Sequence, residues 1–205
     1  MKLKIFLILS FFSFAFSNTR FEFINNKGEL SKIDCSILIE SKEIQDKVKE
    51  YGKVISEEYK NEPITLVMIM KGSVCFAVDL LYNLPIDTSV ECIDCSSYGM
   101  GTTSGELKIN GLDELDIEGR NVLLIDDICD SGKTLKNVSK KLKEKNPKSL
   151  KTIVLLKRDN GKESIFTPDY ALFNLADDAF VVGYGLDYGG KFRGLRDIYS
   201  VISID

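Results

Sequence analysis

Hydrophobic and polar positions alternate with different periods along the chain, and each period predicts an element. Over residues 40–59 the apolar positions Ile44, Val48, Tyr51, Val54 and Ile55 recur three or four apart among Glu and Lys. That spacing predicts an amphipathic helix, with Ser41 as its N-cap. Residues 64–70 are continuously apolar between Pro63 and the pair Lys71 and Gly72, the pattern of a parallel strand buried on both faces. A helix is expected over 73–82, strands over 88–96, 121–126 and 149–156, and a further helix over 134–145. Strands alternating with helices predict an α/β domain, a central mostly parallel sheet with helices on both faces. Between residues 96 and 120 the pattern breaks into SSYGMGTTSG and an acidic stretch, from which no core can be built. A polar, Gly-rich segment between core strands reads as a lid or binding loop. It also reads as an exposed hairpin, since residues 106–109 alternate like an edge strand. A hairpin whose tip closes over ligand satisfies both.

The first 17 residues stand apart. Lys2 and Lys4 precede an apolar run over 5–16, with small Ala15 and Ser17 at its end, the layout of a secretory signal. The run is shorter than the ~20 residues a helix needs to cross a bilayer, so no stable membrane span is expected; the other reading is an element tucked into the core. The expected organisation is a signal-like leader over 1–17, an N-terminal extension over 18–36 and one domain over 37–205.

Composition narrows the chemistry. Lys plus Arg is 27 against 31 Asp plus Glu, a net charge of −4, and two of those Lys lie in the leader, which argues against a nucleic-acid partner. There is no His, so His-ligated zinc, Ser-His-Asp triads and Cys-His pairs are excluded, and carboxylates, Lys, Tyr or Cys must do any acid–base work. The five Cys are odd in number and irregularly spaced, unlike a disulfide framework. Cys92 and Cys95 form a C-x-x-C in a strand-like run, where residues three apart face opposite sides and no second pair is present to complete a zinc site.

The most informative stretch is VLLIDDICDSGKTL at 122–135. A buried strand delivers two carboxylates, Asp126 and Asp127, to its C-terminal end, where open α/β sheets bind ligands. The turn Asp130, Ser131, Gly132, Lys133, Thr134 then opens a helix and offers successive backbone N–H groups and two hydroxyls, which suits a phosphate. A nucleoside-triphosphate P-loop is excluded, because the position that motif reserves for its first Gly holds Asp127. The acids and the turn together suit a sugar phosphate, with ribose hydroxyls on Asp126 and Asp127 and the 5′-phosphate in the turn.

This stretch resembles the signature of the type I phosphoribosyltransferases, which bind phosphoribosyl pyrophosphate, and other segments are similar to their hypoxanthine-guanine branch. MKGS at 70–73 is similar to its pyrophosphate-binding turn, in which the peptide before the Lys can be cis. Ser97 and Tyr98 match the head of its mobile loop. FVVGYGLDY at 180–188, followed by Phe192 and Arg193, is similar to its purine-pocket hood, and an Asp at 130 fits enzymes of 6-oxopurines. The resemblance covers residues 37–204 and implies the type I phosphoribosyltransferase fold with a small hood and a mobile loop. It implies Mg²⁺-dependent transfer of the phosphoribosyl group to hypoxanthine or guanine, giving IMP or GMP and pyrophosphate. A homodimer or homotetramer in the cytoplasm is implied as well, or an exported protein if the leader functions.

Roles are implied by the same resemblance. Asp126 and Asp127 bind ribose and Mg²⁺, with Asp187 as a further metal contact; Asp130 exchanges the proton at purine N7. Lys71, Gly72 and Arg193 hold pyrophosphate. Phe180 stacks on the base, Val181 and Asp187 border it, and Lys157 donates to the 6-oxo group. The chain departs from close relatives in two places: the stretch from Lys157 to Phe180 is longer, with Arg158 adjacent, and the acid pair is Asp-Asp where relatives often have Glu-Asp. A non-catalytic nucleotide-sensing protein of the same fold is the alternative. The presence of Asp130, Lys71 and Arg193 favours catalysis.

Overall fold

A computed structural model of the chain describes residues 18–60, 62–97, 107–159, 161, 164–176 and 178–205. The leader and Tyr98 lie outside the described residues. The chain runs β1 (Thr19–Ile24), β2 (Leu30–Ile39), α1 (Ser41–Glu58), β3 (Ile64–Met70), α2 (Val74–Tyr82), β4 (Thr88–Ser97), β5 (Leu107–Asn110), β6 (Asn121–Cys129), α3 (Lys133–Lys143), β7 (Ser149–Arg158), β8 (Tyr170–Leu175), β9 (Val181–Val182) and β10 (Ile198–Ile204). Six strands form a sheet in the order β5-β4-β3-β6-β7-β8. Its pairs are parallel except β4 with β5, an antiparallel pair matching Ser97 to Leu107.

Both faces of this sheet are covered, as the continuous apolar runs require. On one face Ile44, Val48 and Ile55 of α1 and Phe76 and Leu80 of α2 pack on Leu66, Leu123 and Ile153. On the other, Leu135, Val138 and Leu142 of α3 pack on Val67, Leu124 and Val154. β6 extends past the expected end at Asp126 because Ile128 and Cys129 find partners in Leu156 and Lys157 of β7. Ser41 is not the N-cap of α1. That position is Glu40, which makes no side-chain cap bond, and the Ser41 N–H donates instead to Asp197 Oδ1 at 2.7 Å, a cap supplied from 156 residues away in the chain.

Residues 18–36 contribute β1 and most of β2 to a second, four-stranded antiparallel sheet in the order β1-β2-β10-β9. Phe21 and Phe23 alternate with Arg20 and Glu22 along β1, so both aromatic rings fall on one face. There Phe21 meets Tyr199 at 5.3 Å between ring centroids, and Phe23 meets Phe192 at 5.2 Å and Tyr188 at 6.0 Å. The hairpin thus braces the segment 183–195 from outside. Phe23→Ala is expected to cost about 2 kcal/mol, less than a fully buried Phe because the ring is only half-buried, and to lower the thermal midpoint by roughly 4–8 °C. An unchanged midpoint in a melting experiment would show that the hairpin contributes nothing to holding the hood.

Candidate active site

The C-terminal ends of β3 and β6 lie side by side, with Met68 in register with Ile125, so the turns leaving the two strands meet at one place. Beyond β3 the chain turns through Lys71 and Gly72, and the Met70–Lys71 peptide is cis. Gly72 is there for space: a Cβ would overlap Asp127 Oδ2. From the hood, a Cβ at Gly185 would overlap the Gly72 carbonyl oxygen. Three segments distant in sequence therefore close on one another at these two glycines.

A cleft of about 420 Å³ opens between them. It is lined by Asp126 and Asp127, the turn from Asp130 to Thr134, Lys71 and Gly72, and by Asp187 and Arg193 from the hood. Gly132 has φ 76° and precedes the first turn of α3, which begins at Lys133, one residue before the expected start. Ser131 Oγ accepts the Lys133 N–H at 3.4 Å. A larger cavity of about 800 Å³ lies against α1 and α2, but its carboxylate, Asp79, already accepts from Tyr184 at 2.7 Å and from Gln45 at 2.5 Å. The smaller cleft has the chemistry.

Asp126 is 6 % exposed. Burial, and then the neighbouring charge of Asp127, push its carboxyl well above the usual carboxylate range. Burial pushes Asp127 up as well, against the opposing charge of Arg193. Their partners are backbone: Asp126 Oδ1 accepts the Asp127 N–H at 3.0 Å and Asp127 Oδ1 the Ile128 N–H at 2.8 Å. A buried and a half-buried carboxylate so poorly neutralised fit a divalent cation such as Mg²⁺, which binds through one or two carboxylates plus substrate oxygens. Asp187 is engaged elsewhere, with Oδ1 at 2.7 Å from Arg193 Nη2 and Oδ2 accepting the Gly190 N–H at 2.6 Å. Among the described residues no three acidic or thiol groups form a metal-holding cluster; Asp126, Asp127 and Asp187 line the same cleft.

A carboxyl with a raised folded pKa destabilises the fold above its unfolded value and ceases to do so below about pH 4. Asp126→Asn keeps the acceptor for the Asp127 N–H and removes one buried charge. It is expected to stabilise the metal-free protein at pH 7 by about 2 kcal/mol, raising the midpoint by roughly 4–8 °C, with the gain shrinking as pH falls toward 4. A lower midpoint at pH 7 would contradict this reading of the acid pair.

Residues 37–189 match the phosphoribosyl transferase domain. The chain belongs to that family. It is 41% identical over 175 residues to the hypoxanthine phosphoribosyltransferase of Buchnera aphidicola subsp. Schizaphis graminum, covering 83% of this chain and 98% of the relative. With the hypoxanthine-guanine phosphoribosyltransferase of Aquifex aeolicus it shares 40% over 167 residues, 80% of this chain and 93% of the relative. Among solved structures it is similar to the Trypanosoma cruzi hypoxanthine phosphoribosyltransferase in complex with the product IMP, with a TM-score of 0.72 and 37% identity over 81% of this chain and 93% of that one. The Staphylococcus aureus hypoxanthine phosphoribosyltransferase gives 0.75 and 34% over 82% and 91%.

Not every expected site residue of this phosphoribosyltransferase domain lines the cleft. Phe180 is 51 % exposed and meets Tyr188 edge-on at 5.9 Å, whereas Val181 is buried and paired with Ser200. Ser97 ends β4, and its side chain is not among those described. Lys157 is in register with Cys129, and the cation against Asp130 is its neighbour: Arg158 Nε lies 3.4 Å from Asp130 Oδ1. Cys95, weighed in the sequence only as half of a C-x-x-C, also lines the cleft, with its thiol pushed up to about 12 by burial.

Proposed function

We propose that the chain transfers the 5-phosphoribosyl group from phosphoribosyl pyrophosphate to hypoxanthine or guanine, giving IMP or GMP and pyrophosphate, with Mg²⁺ as cofactor. The observation that carries this reading is the meeting, in one cleft, of a buried acid pair, a phosphate-sized turn at a helix N-terminus, and a Lys-Gly turn backed by Arg193. Backbone N–H groups of the turn, with the Ser131 and Thr134 hydroxyls, take the 5′-phosphate. Asp126 and Asp127 accept from the ribose hydroxyls and would hold the metal. Bound magnesium supplies charge neutralisation on the departing pyrophosphate. Lys71, the amides around Gly72 and Arg193 add positive charge and donors where that leaving group develops.

The C1′–O bond to pyrophosphate breaks as purine N9 bonds to C1′ from the opposite face, inverting the anomeric carbon. The Asp130 carboxylate takes the N7 proton released in that step, a task that needs no His. Phe180, half-exposed beside Tyr188, offers its ring to the base. The donor is an intracellular metabolite, so we place the protein in the cytoplasm, as a homodimer or homotetramer. The described helices include none long and apolar enough to cross a membrane.

The test is nucleotide formation by the purified protein from phosphoribosyl pyrophosphate and Mg²⁺ with hypoxanthine, guanine, xanthine and adenine in turn. Turnover of hypoxanthine or guanine and none of adenine is expected. A folded protein that binds the ribosyl donor and turns over no base would overturn the enzyme and leave a nucleotide sensor in its place.

A further inference from the structure

We propose that the backbone of Ile165, in the stretch between β7 and β8, aims the Gly132 N–H at the 5′-phosphate, an inference that rests on the phosphoribosyl-transfer reading. The Ile165 N–H donates to the Ser131 carbonyl at 3.1 Å. Ser131 and Gly132 line the cleft and residues 164–166 do not, so this bond is made at the back of the turn. Within one trans peptide the carbonyl and the N–H that follows it point in opposite directions. A Ser131 carbonyl drawn to the back therefore sends the Gly132 N–H to the front, into the cleft. Among the described residues no acceptor takes that N–H, which leaves it for a phosphate oxygen.

The stretch behind the turn is itself held. Ser164 Oγ donates to the Phe166 carbonyl at 2.7 Å and accepts the Phe166 N–H at 3.5 Å, closing a tight bend around Ile165. The Cys129 thiol donates to the same carbonyl at 3.9 Å, tying the bend to the end of β6. The Phe166 ring is half-buried and packs on the core that includes Leu135 and Val138 of α3, so the bend is fixed to the helix whose N-terminus faces the phosphate. Gly132 permits the approach: a Cβ there would lie 2.8 Å from Phe166 Cβ and 2.9 Å from Ser164 Oγ. Ile165 is 49% exposed and serves the turn through its backbone alone. A glycine is also the residue at which a peptide plane reverses most easily, and the reversed plane would set the Ser131 carbonyl oxygen against the phosphate. The Ile165 bond holds the plane the productive way round before the anion arrives, which removes the cost of reorganisation on binding.

The experiment measures KM for phosphoribosyl pyrophosphate and for hypoxanthine, kcat, and the inhibition constants of GMP and of pyrophosphate, in the full chain and in Ile165→Pro and Ile165→Ala. Proline removes the N–H and alanine keeps it. Ile165→Pro is expected to weaken phosphoribosyl pyrophosphate and GMP, which both carry a 5′-phosphate, by roughly 10- to 100-fold, the weight of a hydrogen bond to a charged group. Pyrophosphate inhibition, KM for hypoxanthine and kcat should hold, because none of them depends on the turn. Ile165→Ala should match wild type throughout. A merely structural role would weaken every ligand alike. The proposal is overturned if Ile165→Pro binds phosphoribosyl pyrophosphate and GMP as wild type does, if it loses pyrophosphate to the same extent, or if Ile165→Ala reproduces the loss. Should Ile165→Pro not fold, Phe166→Ala decides, since it unpins the bend and keeps the N–H: a smaller loss confined to the two 5′-phosphate ligands supports the proposal, and unchanged affinity for both overturns it. Wild-type protein that binds neither phosphoribosyl pyrophosphate nor GMP is a different result, the failure of the transfer reading itself.

Discussion

Asp130→Asn is expected to lower kcat for nucleotide formation by about 10²–10⁴-fold, the range that a positioned general acid or base contributes. The substitution keeps the size of the side chain and an oxygen for Arg158, whose Nε stands 3.4 Å from Oδ1, and removes only the capacity to take the N7 proton. Asp130 is not part of the core: its side chain is 69% exposed, so the fold should survive unchanged. KM for phosphoribosyl pyrophosphate should also hold, because the turn binds the 5′-phosphate through backbone N–H groups and neighbouring hydroxyls, which the variant retains. The check is steady-state kinetics with the donor and the base varied separately, beside a thermal melt. A variant with wild-type kcat would remove Asp130 from proton transfer and reduce it to a partner of Arg158.

Gly72→Ala is the second large effect, expected to cost at least ~10²-fold in kcat/KM while leaving the protein folded. The new Cβ would overlap Asp127 Oδ2. Backbone strain is not the problem, since Gly72 is not among the residues with positive φ. The carboxylate must rotate away, and it is the group that would touch ribose and metal; displacements near 1 Å in such a site cost on that order. Stability should change little, because Asp127 is a short, partly exposed side chain that borders the open cleft. Activity close to wild type would mean that the Asp127 position is not used in catalysis. An unfolded protein would mean instead that the glycine serves packing between β3 and β6.

The two sites differ in how far the sequence disclosed them. Asp126, Asp127 and the turn from Asp130 to Thr134 lie close together on one strand-turn-helix unit, and short-period patterns of apolar and small residues made that unit visible with its ligand-binding end. The contact between Gly72 and Asp127 is invisible in that pattern. It arises because β3 and β6 pair in parallel with Met68 beside Ile125, which brings residues 55 positions apart in the chain to the same edge of the sheet. The same holds for the carboxylate of Asp187, whose bonds to Arg193 and the Gly190 N–H set its orientation in the cleft.

By itself, the sequence determined the α/β alternation, the buried strands, the absence of histidine chemistry and the acid pair leading into a phosphate turn. All of these are local: helix and strand periods are written in neighbouring residues, and a motif within one unit needs no partner. The tertiary structure alone decided that Arg158 meets Asp130, that Ser41 is capped from Asp197, and that residues 18–36 form a hairpin bracing the hood through Phe21 and Phe23. Each of these depends on strand register and on which face a side chain takes. A shift of one residue reverses the face, and only the packed sheet selects between the two.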